Sequence, residues 1–325
     1  MLLQDTAEAG PEVVPFANAA ACLQAYRQGM SRPRGGMNSL VDLIGERFAS
    51  LGGELRTATI VDRIEGEPDP SSGSSAGFLV TTRRREQFRA RQVALNLPID
   101  VGARLLGRGL DGRIGRACRK SKAVWSAFTG YLAFDRSMID DASPLFHHVL
   151  RDYEHPIHDG NNVLISLSPP GDDGYGPEST RVATLSTHTR PEEWMALDRE
   201  SYQARKAEYR ERLMAALDVA LPGVREGFLH AEFASPRSFA RYTRRTLGAV
   251  GGPPTRRSNS NFFAVGSDLF GPGIWVVGDS VFPGQGTMAT VLSAIRVVER
   301  ITGMSWSRMT RLDAARSSNA LAEIA

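Results

Sequence analysis

The chain has 325 residues, 42% hydrophobic and 23% charged, with a formal net charge of +3, which at roughly 150 residues per domain suggests about two domains with a substantial core. No uncharged apolar run approaches the roughly 18 residues of a membrane span, and the longest candidate, Val13 to Leu23, is broken by Pro15 and Asn18. Asp5 and Glu8 stand where a leader would be basic, and the two cysteines, Cys22 and Cys118, make no disulfide framework; secreted, spanning and fibrous classes are not expected, and a cytoplasmic protein is.

Charge is unevenly distributed. Between Arg83 and Lys122 ten arginines and two lysines face only Glu86, Asp100 and Asp111, a local balance of +9 that leaves −6 for the remainder. Such a stretch suits anionic lipid, with a solvated face as the alternative. No zinc-finger, RNP-type or basic-zipper pattern accompanies it, so nucleic acid is not an expected partner.

Residues 1–34 read as a loop and a short helical piece in which Ala19, Leu23 and Tyr26 recur before Gly29. Arg34-Gly35-Gly36-Met37 is a tight turn into a helix, with Asn38 or Ser39 as its cap. Leu40, Val41, Leu43, Ile44, Phe48 and Leu51 form its apolar face, and Gly52 and Gly53 its stop. Leu55 to Ile64 and Phe78 to Thr82 read as strands that pair across the polar segment GEPDPSSGSSAG at 66–77. Val93 to Leu97 is a compact strand ended by Pro98, and Ala123 to Phe134, Val163 to Leu167 and Val182 to Thr187 are further strands. One long amphipathic helix is expected from Pro191 to Leu221, stopped by Pro222 and Gly223.

The last unit is the strand Gly273 to Gly278, then Asp279, the loop Pro283-Gly284-Gln285-Gly286, and a helix. Met288, Val291, Leu292, Ile295 and Val298 form its apolar stripe, and Thr290 and Ala294 leave a small face. A helix N-terminus presents free N–H groups and partial positive charge, suited to a phosphate or an electron-rich ring edge. Glycines admit close approach of a ligand, and an acidic residue after the strand accepts hydrogen bonds from polyol or ribose hydroxyls. Strand-to-helix turns also use glycine and aspartate for structural reasons alone.

Taken together, Pro33-Arg-Gly-Gly-Met-Asn-Ser-Leu40, the segment Gly52 to Ile64, and Gly278-Asp-Ser-Val-Phe-Pro-Gly-Gln-Gly-Thr-Met288 resemble the phytoene desaturase and carotenoid isomerase family. These are FAD-dependent oxidoreductases related to the flavin amine oxidases. The resemblance covers most of residues 11–303, and is specific at its two ends and loose between them. It implies that Gly35, Gly36 and Met37 lie near the flavin and that Val61 offers its backbone N–H and C=O to the adenine. It also implies that Gly278 opens the closing loop, that Asp279 bonds the ribityl or pyrophosphate region, and that Gly284, Gly286, Thr287 and Met288 line the isoalloxazine. Ala294 departs from the family's frequent glycine but is small.

The main departure is that the family's opening unit, a strand leading directly into G-x-G-x-x-G with an acidic residue about 20 positions on, is not found: the run Gly107-Arg-Gly-Leu-Asp-Gly112 follows no expected strand. The readings are a start assigned too late, a split gene whose partner chain supplies the Rossmann unit, or a remnant; tight FAD binding by the chain alone is not expected. The implied class is α/β: an incomplete FAD-binding Rossmann-like domain plus a sheet-and-helix (α+β) substrate domain. Its segments are 1–34 leading into the flavin turn, 35–100 as the C-terminal part of the FAD-binding domain, 101–260 as the substrate domain, and 261–325 as the closing strand–loop–helix and tail. The implied substrate is an apolar polyene or related lipid, altered at C–C or C=C bonds by desaturation, isomerisation or saturation. The basic stretch would hold the chain peripherally on an anionic inner membrane face. The alternative is a non-catalytic, partner-dependent subunit.

No residue is nominated as catalytic, since the flavin carries the redox chemistry and neither a G-x-S-x-G elbow nor a P-loop occurs. His147, His148, His155 and His158 cluster with Asp152, Glu154 and Asp159, but without a helical H-x₃-H pair or CxxC support no metal is assigned. On a strand, His147 and His148 point to opposite faces.

Overall fold

The computed structural model describes residues 2–29, 33–68 and 75–311; part of the polar segment at 66–77 lies outside the described residues. In chain order the elements are α1 (Leu2–Ala7), α2 (Phe16–Arg27), α3 (Gly36–Ser50), β1 (Val61–Pro68), β2 (Ser75–Thr82), β3 (Gln87–Ala90), β4 (Val93–Leu95), α4 (Ile99–Leu105) and α5 (Gly112–Lys120). There follow β5 (Ser126–Asp135), β6 (Phe146–Leu150), β7 (Asn162–Leu167), β8 (Thr180–Thr189), α6 (Glu192–Met195), α7 (Arg199–Ala220), β9 (Phe228–Ala234), α8 (Pro236–Thr243), β10 (Ile274–Val276) and α9 (Thr287–Thr302). This is the mixed α/β class expected from the sequence. The chain forms two units, Met1–Thr59 with Ala123–Thr255, and Ile60–Lys122 with Arg256–Ala325.

The first unit is built on a five-stranded sheet of order β6-β7-β8-β5-β9, antiparallel throughout. Along β7 and β8 burial alternates with period two, so each strand offers one apolar face. Phe128, Leu132, Val163, Ile165 and Leu185 of that face pack in one core with Tyr209, Leu213, Ala216 and Leu217 of α7. The helical spacing of those four residues makes a single stripe. Trp194 of α6 stacks on Phe128 at 5.5 Å and its indole N–H donates to Thr189, which fixes α6 at the end of the same core.

The second unit carries the antiparallel meander β1-β2-β3 and the parallel pair β10-β4. Its core joins Ile64 and Phe78 of the meander, Leu95, Ile274 and Val276 of the parallel pair, and Ile99, Ala103 and Ala117 of α4 and α5.

Several expectations are corrected. The single helix from Pro191 to Leu221 is two helices, because Asp198 turns to extended backbone (φ −68°, ψ −179°) and its carboxylate accepts the Ser201 N–H as a new cap. The strand expected from Leu55 begins only at Val61, since Thr57 and Ala58 form a turn in which Ala58 has a φ of +52°. Neither Asn38 nor Ser39 caps α3: the helix starts at Gly36 behind Gly35 in the left-handed region, and the Ser39 hydroxyl donates to the Arg34 and Gly36 carbonyls. The apolar stripes of α3 and α9 are largely uncovered among the described residues. Leu43 and Leu51 are 63% and 69% exposed, and the buried residues of α9 are Ser293 and Val297.

Candidate functional site

The residues expected around the flavin divide between the units. In the first, Gly35 and Gly36 make the turn into α3, with φ values of +77° and +79°. The loop after β7 closes over them. The Asp172 carboxylate oxygens lie 2.9 and 3.1 Å from the Gly35 nitrogen, so a fixed negative charge sits at the positive end of the helix. Gly174 packs so near that a Cβ on it would lie 2.3 Å from the Gly35 Cα, and a Cβ on Gly36 would lie 3.0 Å from the Tyr175 ring. Met37 remains exposed. The turn was legible as a turn; Asp172 and Tyr175 were not, because nothing local in 168–178 signals a contact with residue 35.

In the second unit Val61 opens β1 opposite Thr82, while the other expected residues lie on the segment from β10 into α9. β4 and β10 run in parallel, with the Val277 N–H donating to the Leu95 carbonyl. Gly278 follows at φ +93°, and a Cβ there would lie 2.2 Å from the Asn96 amide oxygen. Its N–H donates to the Ser293 hydroxyl at 2.8 Å, which ties the strand end to the second turn of α9. Asn96 and Ser293 escaped the sequence reading, although Ser293 sits on the small face noted there.

Beyond Gly278 the backbone is pinned by Ser121, whose hydroxyl donates to the Ser280 carbonyl, and by the Phe282 N–H, which donates to the Val265 carbonyl. The Phe282–Pro283 bond is cis, and Gly284 and Gly286 have φ values of +116° and +93° with nothing within 4 Å of a Cβ built on either. α9 starts at Thr287 with no side-chain cap, and Met288 is 73% exposed. At the carboxyl ends of the two parallel strands, β10 therefore leads into an open glycine loop and an uncapped 16-residue helix. This suits an anionic or electron-rich ligand edge, so the residues present fit this part of a flavin site.

The histidines fall in two settings of the first unit. His147 lies opposite Ile165 on the α7 side of the sheet, while His148 lies opposite Leu164 and faces Asp5 at 3.6 Å, so the two point to opposite faces. His188 lies 3.3 Å from Glu8 and 3.8 Å from Asp5. Burial pushes the Asp5 and Glu8 carboxyls up against the pull of His188; burial pushes His188 down, but its bond to Glu8 and the charge of Asp5 bring it above its usual value. Elsewhere His155 bonds Asp152 and His158 bonds Asp159. Asp159 also accepts the Tyr209 hydroxyl at 2.6 Å. Burial raises Asp159, yet the bonds from His158 and Tyr209 win and hold it at about 2; burial and the Asp159 bond push Tyr209 up to about 12. Among the described residues no group of three or more His, Cys, Asp or Glu is arranged to hold a metal ion.

Solved structures share this architecture. An oxidoreductase from Methanosarcina mazei superposes with a TM-score of 0.53 at 16% identity, over 82% of this chain and 55% of that one. Putrescine oxidase bound to putrescine gives 0.51 at 13% identity, over 83% and 54%. The fold is similar to that of these oxidoreductases. Residues 15–302 match the family described as flavin containing amine oxidoreductase, and the chain belongs to that family. Curated relatives include chloroplastic prolycopene isomerases of Arabidopsis thaliana, 24% identical over 88% of this chain and 48% of that one, and of Daucus carota, 22% identical over 88% and 46%. The chain thus spans about half the length of the curated relatives it matches. No described helix is long and apolar enough to cross a membrane.

Proposed function

We propose that the chain works in an FAD-dependent oxidoreductase that acts on C–C or C=C bonds of an apolar polyene or related lipid, in the cytoplasm or at the inner membrane face. The observation that carries this reading is the loop from Gly278 to Thr287, where β10, paired in parallel with β4, feeds an open glycine turn and an uncapped helix. The similarity to prolycopene isomerases supports a polyene such as prolycopene. When bound, FAD supplies reversible hydride and electron acceptance. The chain's own residues position it: the first N–H groups of α9 orient the ring edge, Gly284 and Gly286 admit it, Asp279 takes a hydroxyl, and Met288 shields it from water.

The pyrophosphate site of a dinucleotide fold is a glycine fingerprint between a strand and a helix, whereas the G-x-G-x-x-G run of this chain, Gly107 to Gly112, joins α4 to α5; and the parallel sheet of the second unit has two strands among the described residues, whereas parallel sheets are usually larger and covered on both faces. A dinucleotide-binding unit from a partner chain accounts for both. The test has two arms. The purified chain mixed with FAD and desalted is expected to lose the flavin; stoichiometric retention overturns the need for a partner. A complex captured from its source through a tag on this chain is expected to carry flavin and convert prolycopene or a related polyene. A flavin-free complex overturns the oxidoreductase reading and leaves a non-catalytic subunit.

A further inference from the structure

The first unit also contains a groove whose lining the fold leaves unexplained. Its volume is about 870 Å³, within the range of roughly 300–1,000 Å³ usual for small-molecule sites. α7 contributes Lys206 and Arg210, one turn apart, and α8 contributes Arg237 and Arg241, also one turn apart. Glu232 is the one carboxylate in the lining. Like charges at this spacing destabilise a helix, so four cations facing one acid work against the local fold.

Arg237 has a structural reason to be there. It donates to the backbone carbonyls of Trp194, Met195 and Leu197 and lies 4.6 Å over the Tyr202 ring, tying α8 to α6. The other three cations have none. On the same α7, Arg205 holds Glu193 and Arg212 holds Glu208. By contrast, among the described residues no carboxylate lies within 4 Å of Lys206 or Arg241. Arg210 reaches only its neighbour Glu211, at 3.9 Å. Aromatic faces stand beside these charges: Arg210 lies 5.6 Å over Phe233 and Arg241 lies 5.6 Å over the exposed Tyr242.

Cations beside an exposed ring recognise charge and flatness together, and Tyr242 is the exposed ring here. We infer that this groove binds a small anion carrying a flat ring, the chemistry of a nucleoside monophosphate. Lys206, Arg210 and Arg241 take the phosphate, Tyr242 takes the ring, and Glu232 accepts from a ring amino group or sugar hydroxyl. The groove's size favours a small molecule over a polymer, and its charge sets it apart from the apolar substrate proposed above, on which this inference does not depend.

The test is calorimetric titration of the whole chain at low salt with guanosine monophosphate, guanosine and inorganic phosphate. The monophosphate is expected to bind saturably, with guanosine at least about tenfold weaker because the cations are left unused. Replacing both cations, Lys206→Gln with Arg241→Gln, is expected to weaken monophosphate and phosphate alike by about tenfold or more. Tyr242→Ala is expected to weaken the monophosphate about fivefold or more while leaving phosphate unchanged, since stacking acts on the ring alone. Three results overturn the proposal: no saturable binding of the monophosphate, guanosine binding as tightly as the monophosphate, or unchanged affinity in the double variant. Tyr242→Ala replaces an exposed side chain and keeps the test decisive if the double variant loses stability.

Discussion

Buried charge is concentrated where the N-terminal segment meets the sheet of the first unit. Glu8, only 6% exposed, contacts His188; Asp5 lies between His188 and His148; and the Trp125 indole donates to the Glu8 carbonyl. Asp5, Glu8 and His188 all hold their protons more tightly folded than unfolded. A raised folded value contributes stability that is complete below the unfolded value and is lost as pH rises through the folded one. For the carboxyls that loss runs upward from 3.8 and 4.5, and for His188 upward from 6.5. The thermal midpoint is therefore expected to fall as pH rises from about 6 to about 8, and a Glu8→Gln, His188→Gln double variant is expected to flatten that slope. An equally steep slope in the double variant refutes this account. In the sequence, Asp5 and Glu8 were legible only as an acidic N-terminus. Gly278, by contrast, was legible as a turn, because a glycine between a strand and a helix has a local signature that a buried ion pair between distant segments lacks.

Among the helices, α7 and α3 carry similar apolar spacing with opposite outcomes. Leu213 of α7 is fully buried, so Leu213→Ala is expected to cost about 2–5 kcal/mol in urea unfolding. Ile44 of α3 is 59% exposed, and Ile44→Gln is expected to change stability by no more than about 0.5 kcal/mol. Comparable losses from both variants would mean that α3 is covered. Periodicity shows which face of a helix prefers cover but not what covers it, which is why α7 and α3 read alike in the sequence. β7 and β8 were legible from alternation and β-branched content. β9, an edge strand exposed along Phe228–His230, carries no such alternation, and α5 mixes Gly112 and Gly115 with three arginines; both went unread. The join of α6 to α7 was missed because its signal is one aspartate, Asp198, inside an otherwise helical run.

For the whole molecule, charge asymmetry is the feature with an external readout. The +9 stretch belongs to the second unit. Arg83, Arg84 and Arg85 are exposed beyond β2, and α5 turns Arg113, Arg116, Arg119 and Lys120 outward while Ala117 is buried. We propose that this surface docks on anionic lipid, each cation adding about 1 kcal/mol near the membrane. In flotation the chain is expected to rise with phosphatidylserine vesicles, to stay down with phosphatidylcholine vesicles, and to be released by high salt. Equal recovery with both lipids refutes the proposal.

The parallel pair of the second unit has a further consequence, for the order in which the protein takes shape. Gln92 and Trp275, joined at the start of β4 and β10, are 183 residues apart, and the whole of β5 to α8 is made between them. During synthesis β4 must wait with its apolar side chains unpaired until Ile274–Val276 emerges, whereas the sheet of the first unit closes on segments already present. Nascent chains arrested just before Ile274 should therefore need a holdase for residues 60–122, and chains arrested beyond Thr302 should not.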